Sequence, residues 1–429
     1  MASDVADLIV YGGPILTMET SQPRAEAIAI AGGVIVAVGD KASVLAHAGP
    51  GTKQIDLAGR ALLPGFIDAH GHFANALQVV GWANIQRPPA GPVTSIADLQ
   101  QVLREHVARH PASKGEWVIA YGYDVDGLSD GRDLDKADLD ALFPENPVMV
   151  IHNSNHGAVL NSCALALAGY DASTPDPAGG VIVRRPGSTE PAGLVMETAF
   201  IPLFMHMPQP SDDERLGQFE AAQRLYTAKG ITTVQDGATV AGDLDLFQRG
   251  AREGRLCVDL VLLPLVLDVP AMLRERFPDF QGKPLELPQP ALEVFGHYRD
   301  RVKFQGIKLL LDGSPQGKTA FWGEPLLTPG PNGEANWRGQ PVFPPDQLME
   351  AVARLSGQGI QLFAHCNGDA AIDLMIEACR RAGLKPEQDH RTVIIHSQFM
   401  APGQLEQYAE LGMHPSFFTV HAFFFGDTH

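Results

Sequence analysis

Residues 64–73 read PGFIDAHGHF, an apolar run that ends in two histidines, His70 and His72, one glycine apart. In an extended strand residues i and i+2 face the same side, so both imidazoles can reach one point at the strand's end. On its own the pair reads equally well as two solvated loop histidines. Further along, His365 closes the run IQLFA and His396 closes TVII. Four histidines at the ends of three apolar runs are less easily assigned to chance. Where parallel strands lie side by side, their C-terminal ends bring residues distant in sequence to one site. Imidazole is also a favoured ligand of zinc and similar divalent ions.

The apolar runs themselves carry the fold. ALLPGFIDAH, GITTVQDG, VDLVLLPLV, GIKLLLDGS, GIQLFAHCNGD, RTVIIHSQ and MHPSFFTVH recur between helical stretches. Continuous apolar strands alternating with helices predict an α/β fold, a parallel sheet or barrel covered by helices. The helices have interpretable ends: SDDERLGQFEAAQRLYTAKG opens on Ser211 with acids in its first turn and stops at Gly230, and PPDQLMEAVARLSGQG opens on proline and closes on glycine. Residues 1–60 are β-rich, and AEAIAIAGGVIVAVGD sets two apolar arms around Gly32 and Gly33 as in a hairpin, the N-terminal part of a small β-sandwich. Residues 61–78 and 211–429 make up the strand–helix body. Residues 79–210, with the helix SIADLQQVLREHVARH and the strands EWVIAYGY and PVMVIHN, read as an α+β insertion overhanging its mouth.

Size and charge bound the function. A chain of 429 residues can bury a large core. Its 32 Lys and Arg against 50 Asp and Glu give a net charge of -18, which lacks the basic surface that nucleic acids or anionic membranes require. The most apolar segment, VDLVLLPLVLDVP, is broken by Pro264 and Asp268 and falls short of the roughly 20 residues of a bilayer span. Four cysteines without a CxxC pair and an acidic N-terminus unlike a secretion signal predict a soluble protein of the reducing cytoplasm.

Lys308, in GIKLLLDGS, shares a strand face with Leu310 and Asp312, where an ammonium inside a barrel is costly unless paired or neutralised. A carboxylated lysine would offer two oxygens to bridge metals. A salt bridge with Asp312, or a surface position, is the alternative, and Lys303 is a weaker competitor. Cys366 falls on the face opposite His365 and reads as a small buried hydrophobe. Phe73, Trp82, Tyr121, Tyr123, Phe321 and Trp322 suit either a pocket or the core. Asp236 reads as structural and Glu197 as a solvated helix start.

In combination, LLPGFIDAHGH, IKLLLDGSPQGKTA, FAHCNGDAAID, VIIHSQ and PSFFTVHAFFFGD resemble the amidohydrolase superfamily, in particular its amidohydrolase-3 branch of metal-dependent hydrolases and N-substituted formamide deformylases, along nearly the whole chain. The resemblance implies a distorted TIM (β/α)8-type barrel with a β-sandwich, and metal-assisted hydrolysis of an amide-type, non-peptide C–N bond in a small organic substrate. It implies His70, His72, Lys308 in carboxylated form, His365 and His396 as ligands of one or two divalent ions, zinc first and manganese or iron as alternatives. His421 would be the catalytic group that meets the substrate or oxyanion. His156 would bind substrate, with a helix-capping or surface role as the alternative.

Pro315, Lys318, Asn367 and Ile395 depart from the branch's usual residues and bear on substrate identity more than on metal binding. The chain stops at FFFGDTH, so the reading expects a barrel without its last strand and the aspartate that ends it. A fragment of a longer chain, a catalytically impaired or regulatory binding protein on this scaffold, and a metal-dependent lyase or isomerase are the alternatives. A homo-oligomer is compatible with all of them.

Overall fold

A computed structural model of the protein describes residues 5–153, 157–177, 180–200, 202–203, 206–207, 210–315, 318–330 and 334–426. The chain divides into two compact units, residues 1–67 with 229–233 and residues 68–228 with 234–429. His156 lies outside the described residues.

In the first unit, β1 (Leu8–Leu16), β2 (Arg24–Ala31), β3 (Val34–Gly39) and β4 (Lys53–Asp56) form a sheet in the order β3-β2-β1-β4. The hairpin predicted around Gly32 and Gly33 is present: β2 and β3 pair antiparallel, and both glycines take positive φ, +57° and +79°. Such a two-residue turn matches the twist of its strands only in a conformation that glycine adopts without steric cost. Alternation along the strands buries Ile9, Ala27 and Ala29 on one face and Val10, Ile15 and Ile28 on the other. β5 (Phe66–Ile67) is short and pairs parallel with residues 231–233.

The second unit contains two systems. Residues 83–197 supply β6 (Ala83–Asn84), β7 (Val118–Tyr123), β8 (Val148–His152), β9 (Gly157–Leu160), β10 (Gly180–Arg184) and β11 (Pro191–Glu197), a sheet of their own in the order β10-β11-β9-β8-β7-β6. The expected helix, Ile96–Arg109, is capped by Ser95 and buries Leu99 and Leu103.

The other system follows the apolar runs: β12 (Ile231–Thr239), β13 (Asp259–Pro264), β14 (Tyr298–Arg299), β15 (Val302–Phe304), β16 (Gly306–Leu310), β17 (Gln361–Cys366), β18 (Val393–His396) and β19 (His414–Phe417). β13 lies between β12 and β15, and β16 to β19 pair parallel in sequence order. A parallel bridge from Leu265 to Lys308 joins β13 to β16. Among the described residues these ladders trace an arc and no closed ring, within a mixed α/β fold.

The alternation of β16 and β17 sorts chemistry from core. Ile307, Leu309, Leu362, Ala364 and Cys366 pack outward under the helices Pro345–Gly357 and Asp369–Arg381. Lys308, Leu310 and His365 face the other way, into a cavity. Leu263, Phe363 and Ile395 form an apolar floor on that inner side.

Candidate metal centre

His70 and His72 follow β5 in an irregular segment and not on the strand itself. His72 bridges to Asp236 of β12 and begins the helix Phe73–Val79. The turn is built by close packing: the Gly237 N–H donates to Gly71 O at 2.8 Å, and a Cβ on Gly237 would stand 2.8 Å from His70 Cε1. Below it, Phe73 is wholly buried among Phe219, Tyr226 and Phe247. Phe73 is therefore a core residue and lines no pocket with the histidines.

His396 reaches the site by a different device. It is in register with Cys366, which points outward, so simple alternation would bury its ring under the helices. Its φ of +71°, followed by +46° at Ser397, turns the side chain inward. Left-handed backbone is uncommon outside glycine, with histidine among the residues that tolerate it better. The His396 ring then stands 4.8 Å from that of His365 and 5.4 Å from that of His70, which is 5.2 Å from His72.

Two side chains from other segments orient the imidazoles. Gln235 Oε1 lies 3.1 Å from His70 Nδ1, and Asp312 Oδ1 lies 3.1 Å from His365 Nδ1. Both oxygens can only accept here, so each Nδ1 carries a proton and, in the neutral ring, Nε2 keeps its lone pair. Asn367 agrees: its Nδ2 donates to Gly313 O at 2.9 Å and meets His365 Nε2 at 3.2 Å. Asp312 also accepts backbone N–H bonds from Phe321, Asn367 and Gly368. The alternative salt bridge between Lys308 and Asp312 is not formed.

Lys308 is 1 % exposed and, among the described residues, forms no ion pair. Burial lowers its ammonium to about 7, against 10.5 for a free lysine. Burial first, then neighbouring positive groups, lowers His70 to about 3 and His396 to about 2. His72 is lowered to about 4 by the same cause, although its surface opens to the cavity, where solvent limits the effect. These imidazoles are neutral at pH 7, the form that binds metal.

His72, Lys308, His365, His396, Asn367 and Asp236 line one cavity of about 820 Å³. His421 lines it too, on the helix Thr419–Phe425 that follows β19, with the Phe418 ring between it and His396. Asp236 accepts from the Ala74 N–H and the Thr239 hydroxyl, the structural role the sequence indicated. An apolar cavity of about 290 Å³, walled by Met272, Phe277 and Phe304, holds none of this chemistry.

Among the described residues, no three His, Cys, Asp or Glu side chains are drawn close enough to hold an ion. The imidazoles stand edge to face and are not aimed at a single point. The donor chemistry nevertheless fits a divalent cation. His70 and His365 present Nε2 lone pairs held by Nδ1 partners, as metal-ligating histidines do, and a near-neutral buried lysine adjoins them.

The model of the amidohydrolase family matches residues 53–429, and the chain belongs to that family. It is 29% identical over 418 residues to Protein LONG AFTER FAR-RED 3 of Arabidopsis thaliana, covering 96% of this chain and 67% of that protein. It is 24% identical to the N-substituted formamide deformylase of Arthrobacter pascens, covering 96% of this chain and 72% of the relative. An uncharacterised metal-dependent hydrolase from Pyrococcus furiosus shares its fold, with a TM-score of 0.67, 22% identity, and 96% of this chain aligned to 76% of that one. Among the described residues no helix is long and apolar enough to cross a membrane.

Proposed function

We propose that the protein is a metal-dependent hydrolase that cleaves an amide-type, non-peptide C–N bond in a small organic molecule. The observation that carries this reading is the convergence of His70, His72, His365 and His396, from three separate segments, around the buried Lys308, which forms no ion pair among the described residues. In this reading those five residues hold one or two divalent ions, zinc before manganese or iron, with Lys308 carboxylated. The strands β12 to β19 belong to a distorted (β/α)8-type barrel.

A divalent ion at this position supplies positive charge that polarises a carbonyl and lowers the pKa of water. The chain's own groups do the rest. Gln235 and Asp312 keep the His70 and His365 protons on Nδ1. Asp236 fixes the turn that carries His72. His421, buried in the same cavity beyond the Phe418 ring, receives the carbonyl oxygen or the leaving nitrogen of a bound amide. The apolar floor of Leu263, Phe363 and Ile395 closes the site from beneath and excludes bulk water there. Small-molecule amides are the partners, and a reducing cytoplasm suits four cysteines that form no disulfide.

The test is turnover of an amide panel by protein stripped of metal and then reloaded with zinc or manganese. Hydrolysis that appears on reloading, and is lost in His72→Ala, supports the reading. Hydrolysis undiminished in the stripped protein overturns it.

A further inference from the structure

The cavity has a second wall, supplied by residues 86–153, whose polar groups the hydrolytic reading leaves unused. Arg87, Tyr121, Asp124 and Asn153 line it. Arg87 Nε stands 3.2 Å from Asp124 Oδ2, with the aspartate side chain 5% exposed and the arginine 23%. The arginine stem is packed against Gly127, where a Cβ would come within 2.8 Å of Arg87 Cδ. A guanidinium is a planar fork with five donors, suited to gripping a carboxylate by two of them. Ion pair and packing together fix that fork at the cavity wall.

Asn153 adds an acceptor. Its Oδ1 is buried and, among the described residues, has no hydrogen-bond partner. Such an atom is costly unless a donor reaches it. Tyr121 Oη donates to the Asn153 carbonyl at 3.2 Å and holds the residue in place. The cavity's other acids are engaged elsewhere: Asp236 by Ala74 and Thr239, and Asp243 by Arg215 at 3.7 Å.

We infer that Arg87 and Asn153 form a substrate subsite for a carboxylate-bearing secondary amide, whose carboxylate pairs with the Arg87 guanidinium and whose N–H donates to Asn153 Oδ1. The amide carbonyl is then left to the histidine side of the cavity. This inference rests on the hydrolase reading for the fate of the amide, but the recognition step does not require turnover.

The test is therefore calorimetric binding to the metal-free protein, so that no ion can hold the carboxylate. The probes are N-acetyl amino acids covering small, aliphatic and aromatic side chains, each paired with its neutral carboxamide. At least one carboxylate is expected to bind about 10- to 100-fold tighter than its carboxamide, the strength of a charge-assisted pair. Arg87→Ala should level the two, and Arg87→Lys, which keeps the charge without the fork, should fall between them. A further probe, the same N-acetyl amino acid methylated on its amide nitrogen, should bind more weakly than its parent, and Asn153→Ala should abolish that difference. If no carboxylate outbinds its carboxamide, or if Arg87→Ala keeps the full preference, the subsite is refuted. If preference is present but no amide is ever hydrolysed, the hydrolase reading fails and the subsite stands.

Discussion

Replacing Asp312 by asparagine removes one charge and reverses one hydrogen bond at the base of the site. The carboxylate is fully buried and accepts from the N–H groups of Phe321 (3.1 Å), Asn367 (3.0 Å) and Gly368 (2.8 Å), while His365 Nδ1 approaches at 3.1 Å. Every neighbour is a donor, whereas a carboxamide offers only one acceptor oxygen. If the amide oxygen takes the place of Oδ2, the three backbone bonds persist and the new NH2 faces His365 Nδ1. The imidazole must then accept there and carry its proton on Nε2, the atom that a metal would use. The reverse orientation strands backbone donors and costs more. One charge-assisted hydrogen bond is lost on either route, about 1.5–3 kcal/mol of stability. Loss of a group that orients a ligand typically weakens metal binding about 10- to 100-fold. Urea denaturation of the metal-free variant and calorimetric titration with zinc measure the two effects. Asp312→Asn binding zinc as tightly as the parent, with the His365 proton still on Nδ1 by nitrogen NMR, would refute the reasoning.

Phe73→Ala should destabilise the protein by about 3–5 kcal/mol, because it empties a wholly buried ring site; an unfolding free energy from urea denaturation within about 1 kcal/mol of the parent would contradict this. Gly237→Ala brings a methyl to 2.8 Å from His70 Cε1 and 2.9 Å from Gly71 O, so zinc affinity should fall while far-ultraviolet circular dichroism is preserved. Acidification should destabilise the metal-free protein. The unfolded chain protonates His70 and His396 near 6.5, whereas the folded chain resists until about 3 and about 2. Below pH 6.5 the unfolded state thus binds more protons, and each histidine removes up to about 1.4 kcal/mol of stability per pH unit. Urea midpoints that rise between pH 6.5 and 5 would run against that sign.

Much of the site was legible because it obeys periodicity. Lys308 and His365 sit where strand alternation puts them, with Cys366 on the far face, and both helices named from their end residues begin where their sequences indicated. His396 was legible only as a strand end. Its inward turn depends on a left-handed residue that no local pattern marks, since alternation alone would send it outward with Ile394. His70 and His72 meet through a turn closed by Gly71 and Gly237, and the strand geometry first assumed for them is absent. His421 follows β19 as expected, but on a helix, which an apolar aromatic run does not distinguish from a strand. Gln235 and Asp312 were not identified as histidine partners. Each is distant in sequence from the ring it holds, and a lone glutamine or aspartate after an apolar run carries no local signal of such a partner.

The most direct test of the metal centre is elemental analysis of the purified protein, joined to an intact-mass measurement of Lys308 carboxylation. At least a full equivalent of divalent metal is expected, with the mass of one added carboxyl group at Lys308 and loss of the metal in His72→Ala. Less than one equivalent, unchanged after incubation with zinc or manganese, would contradict it.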